Sequence, residues 1–207
     1  MSLMSENATS RALAVAVWPD SVNEIVRWAV LVIGGTLVLT LSAKITVPFY
    51  PVPMTLQTFA IMALAAAYGS RLAVLTVLAY LFEGALGLPV FAGTPPAAAG
   101  PLYFLGPTGG FLIGFILLAL IVGTATDRGW DRSIPRLFAA MVVADIVVFA
   151  IGFGWLALFA QLSSGAQGLG FATAWTVIQQ FILADLLKIA LVALAIPAAW
   201  GLLERRG

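Results

Sequence analysis

Two ionisable side chains three positions apart, Asp185 and Lys188, stand inside an apolar stretch near the C-terminus. That spacing puts both on one face of a helix, where a carboxylate acceptor and an ammonium donor can meet or share a ligand. A charged side chain at mid-span costs about 2.5 to 3.5 kcal/mol on insertion scales, and pairing recovers only part of this cost. The pair therefore predicts a polar ligand site, with a purely structural ion pair as the alternative.

Two further acids lie within apolar stretches. Asp145 has no ionisable partner in its own stretch and, by position along the chain, belongs nearer the cytoplasmic half. Helix packing, proton coupling, a partner contact and substrate binding all stay open for it. Glu83 lies about one turn from the outer end of its stretch, and we expect it to pair with Lys44 or to stay protonated.

The composition sets the class of protein. Of 207 residues, 62% are hydrophobic and only 9% are charged. A soluble domain carries about a quarter charged residues, so this chain is predicted to live in a membrane. Its scattered charges form no basic stripe, which excludes nucleic-acid binding. Cysteine and histidine are both absent, which removes thiolate and imidazole catalysis and nearly all metal sites, so no cofactor, no metal and no enzymatic activity are expected.

Six apolar stretches must position these residues, and they predict an all-α integral membrane protein. The stretches cover residues 28–43, 54–68, 72–86, 109–126, 137–162 and 174–203. Gly69-Ser70-Arg71 indicates a tight turn between the second and third, which favours six spans over five. Residues 1–26, with a weak apolar patch over 12–18, are predicted to be a cytoplasmic tail or interfacial segment, and residues 27–207 the membrane domain.

Charge placement predicts the orientation. With the N-terminus inside, the arginines that flank the spans all fall on the cytoplasmic side, and Lys44 alone is left outside. Those arginines are Arg11, Arg27, Arg71, Arg128, Arg132, Arg136, Arg205 and Arg206. The expected topology is N-in and C-in, with all Pro/Gly-rich connections on the outer side.

The outer connections have unusual sequences. Residues 44–53 contain three prolines and predict a stiff apolar loop. Residues 87–108 carry no charge, so we expect them either to lie against the membrane or to fold back over the helices, and a re-entrant lid is the favoured arrangement. This segment ends at Thr108, a possible N-cap. Three glycines at a spacing of four, Gly106, Gly110 and Gly114, favour close helix packing.

Four segments together resemble the BioY family, the biotin-specific substrate-binding (S) subunits of energy-coupling factor (ECF) transporters. They are VPFYPVPMTLQTF at 47–59, GLPVFAG at 87–93, GPTGGFLIGF at 106–115, and the Asp185-x-x-Lys188 step. They occur in the order expected for the family, and the resemblance extends over about residues 44–193.

The resemblance implies a six-helix protein of the bacterial cytoplasmic (inner) membrane that captures biotin from the outer face. It also implies a transmembrane coupling subunit and a pair of ABC-type ATPases as partners. The chain has no G-x-x-x-x-G-K-[ST] phosphate loop, so ATP hydrolysis is assigned to other chains. Family members dock through an Ala-x-x-x-Ala pattern in the first helix. The nearest patterns here are Thr36-x-x-x-Thr40 and Gly34-Gly35, so stand-alone operation stays open.

The chemistry of biotin suggests roles for particular residues. Asp185 can accept from the ureido N–H groups, and Lys188 can donate to the ureido oxygen or to the tail carboxylate. Gln57 and Thr55 offer both donors and acceptors, and the helix start at Gly109-Gly110 offers free N–H groups to the carboxylate. The group that binds the tail is left open. The predicted aromatic walls of the pocket are Phe49, Phe91, Tyr103, Phe111 and Trp175.

Three alternatives remain at this stage. The chain could be the S component for another vitamin, or a secondary transporter that couples to ions through Asp145, Asp185 or Glu83. The third, an intramembrane aspartyl protease, needs Asp145 and Asp185 to meet as a dyad. Their different expected depths and the neighbouring Lys188 argue against it.

Overall fold

The computed structural model of the chain describes residues 13–16, 22–95 and 99–205. The tail assigned to residues 1–26 therefore lies largely outside the described residues, as do Arg11 and Arg206. The described part is mainly helical: α1 Leu13–Ala16, α2 Glu24–Lys44, α3 Gln57–Tyr68, α4 Ser70–Ala85, α5 Gly109–Asp127, α6 Ile134–Leu158 and α7 Phe171–Glu204. Short 3-10 helices lie at Pro101–Leu105 and Trp130–Arg132.

Each predicted span overlaps one of the helices α2 to α7, with ends that differ by a few residues. By length and composition α2, α5, α6 and α7 are able to cross a membrane. The second and third stretches form the shorter helices α3, with 12 residues, and α4, with 16. Consecutive helices run in opposite directions, so two ends of the bundle can be named. The cavity end is where α3, α5 and α7 begin, and the arginine end is where they finish.

A glycine turn separates α3 from α4 at the predicted break. Gly69 has a φ of +76°, a conformation that glycine adopts without the steric penalty of a side chain. Its N–H donates to the carbonyl of Ala65 at 3.1 Å, which ends α3. The carboxylate of Asp127 at the end of α5 accepts from the N–H of Ser70 at 3.2 Å. The first turn of α4 is therefore capped by a residue from another helix.

The end of the fifth predicted span is wrong by four residues, because α6 ends at Leu158 rather than at residue 162. The next residues leave the helix to bond elsewhere: the N–H of Gln161 donates to the carbonyl of Leu105 at 2.8 Å, and that of Gly168 to Ala160 at 2.9 Å. The apolar residues at 159–160 continue the hydropathy pattern, which hides this exit from the helix.

The first outer connection forms a small hairpin that the all-α prediction did not include. Strand β1, Thr46–Val47, pairs antiparallel with β2, Met54–Thr55, and the prolines lie in the turn between them. Because the two strands bring both ends of the turn back to the bundle, the hairpin places Thr55 directly before α3.

Helix α5 is the centre of the bundle and packs against α3, α4 and α6. Its glycines permit this closeness: a Cβ at Gly110 would lie 2.3 Å from Cβ of Trp155, and one at Gly114 would lie 3.1 Å from Cα of Val148. The packing interpretation is confirmed for Gly110 and Gly114. Gly106 lies before α5, and among the described residues a Cβ there would meet only the Tyr103 carbonyl oxygen, at 3.2 Å. Helix α7 packs against α6 and α3, and α2 packs against α4.

Candidate functional site

A cavity lies at the cavity end, between α3, α5, α6 and α7 and beneath the two Pro-rich connections. Its walls are mainly apolar and include the aromatic side chains Tyr103, Phe111, Phe115, Phe149 and Phe181. Its polar lining is contributed by Thr55, Gln57, Thr58, Thr108, Asp185 and Lys188. A mostly apolar cavity with a few convergent polar groups is typical of a small-molecule binding site.

The ionised pair of α7 meets the start of α3 in what we call the polar cluster: Asp185, Lys188, Thr58 and the backbone carbonyl of Thr55. The Lys188 ammonium donates to the Thr55 carbonyl at 2.8 Å, to Thr58 Oγ1 at 3.1 Å and to Asp185 Oδ1. The Thr58 hydroxyl donates to Asp185 Oδ1 at 3.1 Å. All three ammonium hydrogens are therefore engaged, and the lysine fixes the carboxylate against α3.

A second polar chain runs along the start of α3. The Thr55 hydroxyl donates to Gln57 Oε1 at 3.1 Å, and Gln57 Nε2 donates to the Tyr80 hydroxyl at 2.9 Å. The Tyr80 hydroxyl donates in turn to the carbonyl of Val90 at 3.0 Å. This chain connects the cavity lining with residues 87–95 and 99–108, which we call the lid.

The lid folds back over the helices. The ring of Phe91 is fully buried beside Gly84, where a Cβ would lie 2.0 Å from the ring. It stacks on Tyr103 with ring centroids 4.7 Å apart. Burial raises the pKa of the Tyr103 phenol, so the hydroxyl stays protonated at neutral pH and donates to the Ala92 carbonyl at 2.8 Å. Tyr103 lines the cavity, and Phe91 packs against the side of its ring that faces away from the cavity.

Lys44 anchors the lid to the end of α2. Its ammonium donates to the carbonyls of Pro89 at 2.6 Å and Phe91 at 2.7 Å, to the Thr94 carbonyl, and to the Thr94 hydroxyl at 3.2 Å. The expected pairing of Lys44 with Glu83 is absent from the described residues. The Lys44 ammonium instead has its hydrogen bonds with the lid carbonyls and the Thr94 hydroxyl.

The structure separates the predicted site residues into two groups. Those at the cavity are Asp185, Lys188, Gln57, Thr55, Tyr103 and Phe111. The backbone at Gly109 and Gly110 is instead packed closely, with Cβ positions 1.9 Å from the Phe104 carbonyl oxygen and 2.3 Å from Trp155. Trp175 is 51% exposed, and its neighbour is the ring of Phe153, with centroids 6.4 Å apart.

Several residues at the site were not among the sequence candidates. Thr58 completes the polar cluster, and its position one residue after Gln57 within the 47–59 motif was the available signal. Phe149 and Phe181 line the cavity, and Phe181 packs edge-on against Phe49 with centroids 5.7 Å apart. These aromatics lie in ordinary apolar runs, so their types and spacing alone do not distinguish them from lipid-facing residues.

Asp145 lies beside the polar cluster, contrary to the depth expected from the chain order. It is 13 residues before the end of α6, and Asp185 is 14 residues after the start of α7. In two antiparallel helices these positions are level, and Asp145 faces Asp185 and Lys188 where α6 packs against α7. The wrong expectation came from extending α6 to residue 162.

The fold matches a solved structure. A crystal structure at 2.1 Å of the S-component for biotin from an ECF-type ABC transporter superposes with a TM-score of 0.72 at 23% identity. The match covers 89% of this chain and 94% of that one. At this level of identity the likeness establishes the fold.

Curated relatives agree with that fold. The biotin transporter BioY of Thermotoga maritima is 33% identical over 77% of this chain and 87% of its own length. That of Rhizobium etli is 33% identical over 81% and 90%. A probable biotin transporter BioY of Pyrococcus horikoshii is 36% identical over 73% and 82%.

The apolar helices, the matching fold and these relatives define a multi-pass membrane protein of a transporter type. Residues 8–205 match the model of the BioY family. The chain belongs to the BioY family, as the motifs at 47–59, 87–93 and 106–115 indicated.

Proposed function

We propose that this protein binds biotin with high affinity and takes it up as the substrate-specific component of an ECF-type transporter. The polar cluster at the aromatic cavity is the observation that carries this proposal, together with membership in a family of biotin transporters. A rigid ligand that is apolar in its centre and polar at both ends suits such a cavity, because little entropy is lost when it is immobilised.

The hydrogen bonds of the cluster suggest how biotin lies. The Lys188 ammonium already donates to Thr55, Thr58 and Asp185, so it has no hydrogen left for the ligand. The Asp185 carboxylate is therefore the group of this pair that binds biotin, and it accepts from the ureido N–H. The bicycle then packs between the aromatic rings of α5, α6 and α7. The tail extends towards Gln57 and Thr108, which lie nearer the cavity end and still offer an amide hydrogen and a hydroxyl.

The topology completes the proposal: residues 27–207 form the membrane domain, with six crossing helices, N-in and C-in, in the cytoplasmic (inner) membrane of a bacterium. The contacts of Ser70 with Asp127 and of Arg132 with Glu204 (3.4 Å) support this, because they gather the arginines of the described residues at one end of the bundle. The other end carries Lys44 and the cavity, as the positive-inside rule requires of an outward-facing site.

The partners are a transmembrane coupling subunit and a pair of ATPases from other chains, and this chain itself is not an enzyme. The small residues nearest to the family pattern divide between two faces of α2. Thr36 is buried and a Cβ at Gly35 would lie 2.5 Å from the Thr76 side chain, whereas Gly34 is exposed. The surface of α2 that remains for the bilayer or a coupling subunit is aliphatic, with Ile33, Leu37 and Leu41 exposed.

Equilibrium binding of biotin to the purified full-length protein in detergent tests the proposal. Asp185→Asn should weaken binding about tenfold or more, because a hydrogen bond to a charged group contributes about 1.5 to 3 kcal/mol. Trp175→Phe is the matched control and should bind as the parent does, since its ring lies away from the cavity. A folded Asp185→Asn protein with unchanged affinity would contradict the site, and displacement by thiamine or riboflavin would assign another vitamin.

The closeness of Asp145 and Asp185 favours one other function, proton-coupled uptake without ATPases. Biotin uptake in cells that lack the coupling subunit and ATPases, abolished by an uncoupler, would support it over the ECF mechanism. Uptake that requires those partners and persists after the proton gradient is collapsed would exclude it. A proteolytic dyad is disfavoured because Lys188 and Thr58 both donate hydrogen bonds to the Asp185 carboxylate.

A further inference from the structure

Asp145 is a buried acid that the proposed contacts with biotin do not use. Its residue exposure is 7%, and its Oδ1 has no hydrogen-bond partner among the described residues. It lies level with Asp185 of the polar cluster, on the face of α6 that packs against α7. A buried carboxyl with an unbonded oxygen carries a large desolvation cost unless it is protonated or paired.

The surroundings supply one cation for two acids. Helix α7 presents Asp185 and Lys188 to Asp145, and α3 contributes the neutral Thr58 to the same cluster. The ionisable residue of α5 is Asp127, at the arginine end. There too, the 3-10 helix Trp130–Arg132 engages its charged residues with Trp200 and Glu204.

A proton resolves this imbalance. Lys188 is already saturated by the Thr55 carbonyl, Thr58 and Asp185, so it has no hydrogen left to donate to Asp145. Two ionised carboxylates repel each other, and neither can donate a hydrogen bond. Asp185 has the ammonium and the Thr58 hydroxyl as donors, which favour its ionised form, so the shared proton belongs on Asp145.

We propose that Asp145 is a positioning residue whose protonated carboxyl donates to Asp185 and holds that carboxylate ionised and oriented towards the ligand. The inference rests on the proposed binding of biotin at Asp185. It predicts that biotin binding depends on one retained proton. Above the pH at which Asp145 releases that proton, the new negative charge repels Asp185, competes for Lys188 and weakens binding.

The test compares biotin binding by the parent and by Asp145→Asn between neutral pH and about pH 10, a range in which the biotin carboxylate stays ionised. The asparagine amide can still donate to Asp185 but cannot ionise. We expect similar affinity at neutral pH and a tenfold or greater loss at alkaline pH in the parent only. Lys188 and the tyrosines are present in both proteins, so the effect of their titration on biotin binding is the same in both and does not enter the difference. Asp145→Leu, which cannot donate, should bind weakly at every pH.

Identical pH profiles of parent and Asp145→Asn would overturn the inference, whereas a parent that binds no biotin at all would overturn the proposed function instead. An infrared measurement on the biotin-free parent needs no variant to fold. The carbonyl stretch of a protonated carboxylic acid should be present at neutral pH and disappear at the pH where biotin affinity falls. Its absence at neutral pH contradicts the shared proton, whatever the binding results.

Discussion

Thr58 is a single residue that bonds both charged groups of the polar cluster. Its hydroxyl accepts from Lys188 and donates to Asp185, each at 3.1 Å, in addition to the direct bond between those two groups. A buried ion pair recovers its desolvation cost only when the remaining donors and acceptors are satisfied. Thr58 therefore completes the hydrogen bonding of the two groups on which biotin recognition is proposed to rest.

Thr58→Val should lower the free energy of unfolding by about 1 to 3 kcal/mol and weaken biotin binding, because it leaves a buried donor and acceptor unsatisfied at nearly constant volume. Thr58→Ser keeps the hydroxyl and is the control. Thermal unfolding and biotin titration in detergent measure the two effects. A Val variant that matches the Ser variant in both would show that the hydroxyl does not stabilise the cluster.

Asp131 gives the arginine end a predictable pH dependence. Burial raises its pKa, although the Trp200 indole N–H donates to its carboxylate and Arg132 lies nearby. The folded state therefore holds the proton more tightly than the unfolded chain, whose pKa is near 3.8. The resulting stabilisation is complete below that value and is lost as the pH rises through the raised pKa.

Asp131→Asn should remove this pH-dependent contribution while still accepting from Trp200. Its unfolding temperature should consequently fall less than that of the parent between about pH 4 and 7. Trp200→Phe, which removes the indole donor, should steepen the decline instead. Tryptophan fluorescence during heating follows the parent and the Asn variant, and parallel curves for these two would contradict the prediction.

The lid is held by contacts between elements rather than by its own sequence. Lys44 at the end of α2 binds the lid backbone at Pro89, Phe91 and Thr94. From α4, Gly84 leaves space for the ring of Phe91, while the Tyr80 hydroxyl reaches the Val90 carbonyl at 3.0 Å. The described residues of this uncharged loop lie against the bundle because the helices supply these partners.

Lys44→Met should speed the release of biotin about tenfold, because three lid carbonyls lose a charged donor. It should also increase hydrogen exchange at lid amides such as that of Val90. Glu83→Gln is the control and should change neither, since the structure assigns Lys44 to the lid. Slower or unchanged release in Lys44→Met would show that Lys44 does not anchor the lid, and a matching effect of Glu83→Gln would restore the pairing expected from the sequence.

The orientation of the whole molecule can be read by chemical labelling, because the chain contains no cysteine to remove first. A cysteine at Ser163, exposed in the α6–α7 connection, should react with a membrane-impermeant maleimide in intact cells. A cysteine at Glu204, exposed at the end of α7, should react only after permeabilisation. The opposite pattern would invert the topology, and labelling of both sites in intact cells would show that α7 does not cross the membrane.

Much of the architecture follows from the sequence, because hydropathy and arginine placement act locally. Apolar runs in a membrane must satisfy their backbone N–H and C=O groups within helices. The chain must turn at Gly69-Ser70-Arg71, and neither requirement depends on the neighbouring helices. The Asp185-Lys188 spacing likewise places both groups on one helical face. These are the predictions for which the structure provides matching helices, the Gly69 turn and the polar cluster.

The tertiary structure decided which residues meet across the bundle. Asp145 reaches Asp185 because α6 ends early and sets the two helices level, and Lys44 turns to the lid carbonyls rather than to Glu83. Trp175 lies away from the cavity, while Thr58, Phe149 and Phe181 line it. Hydropathy is the same for a residue that faces lipid and one that faces a cavity wall. The distinction depends on helix rotation and on contacts between distant segments, and only packing determines these.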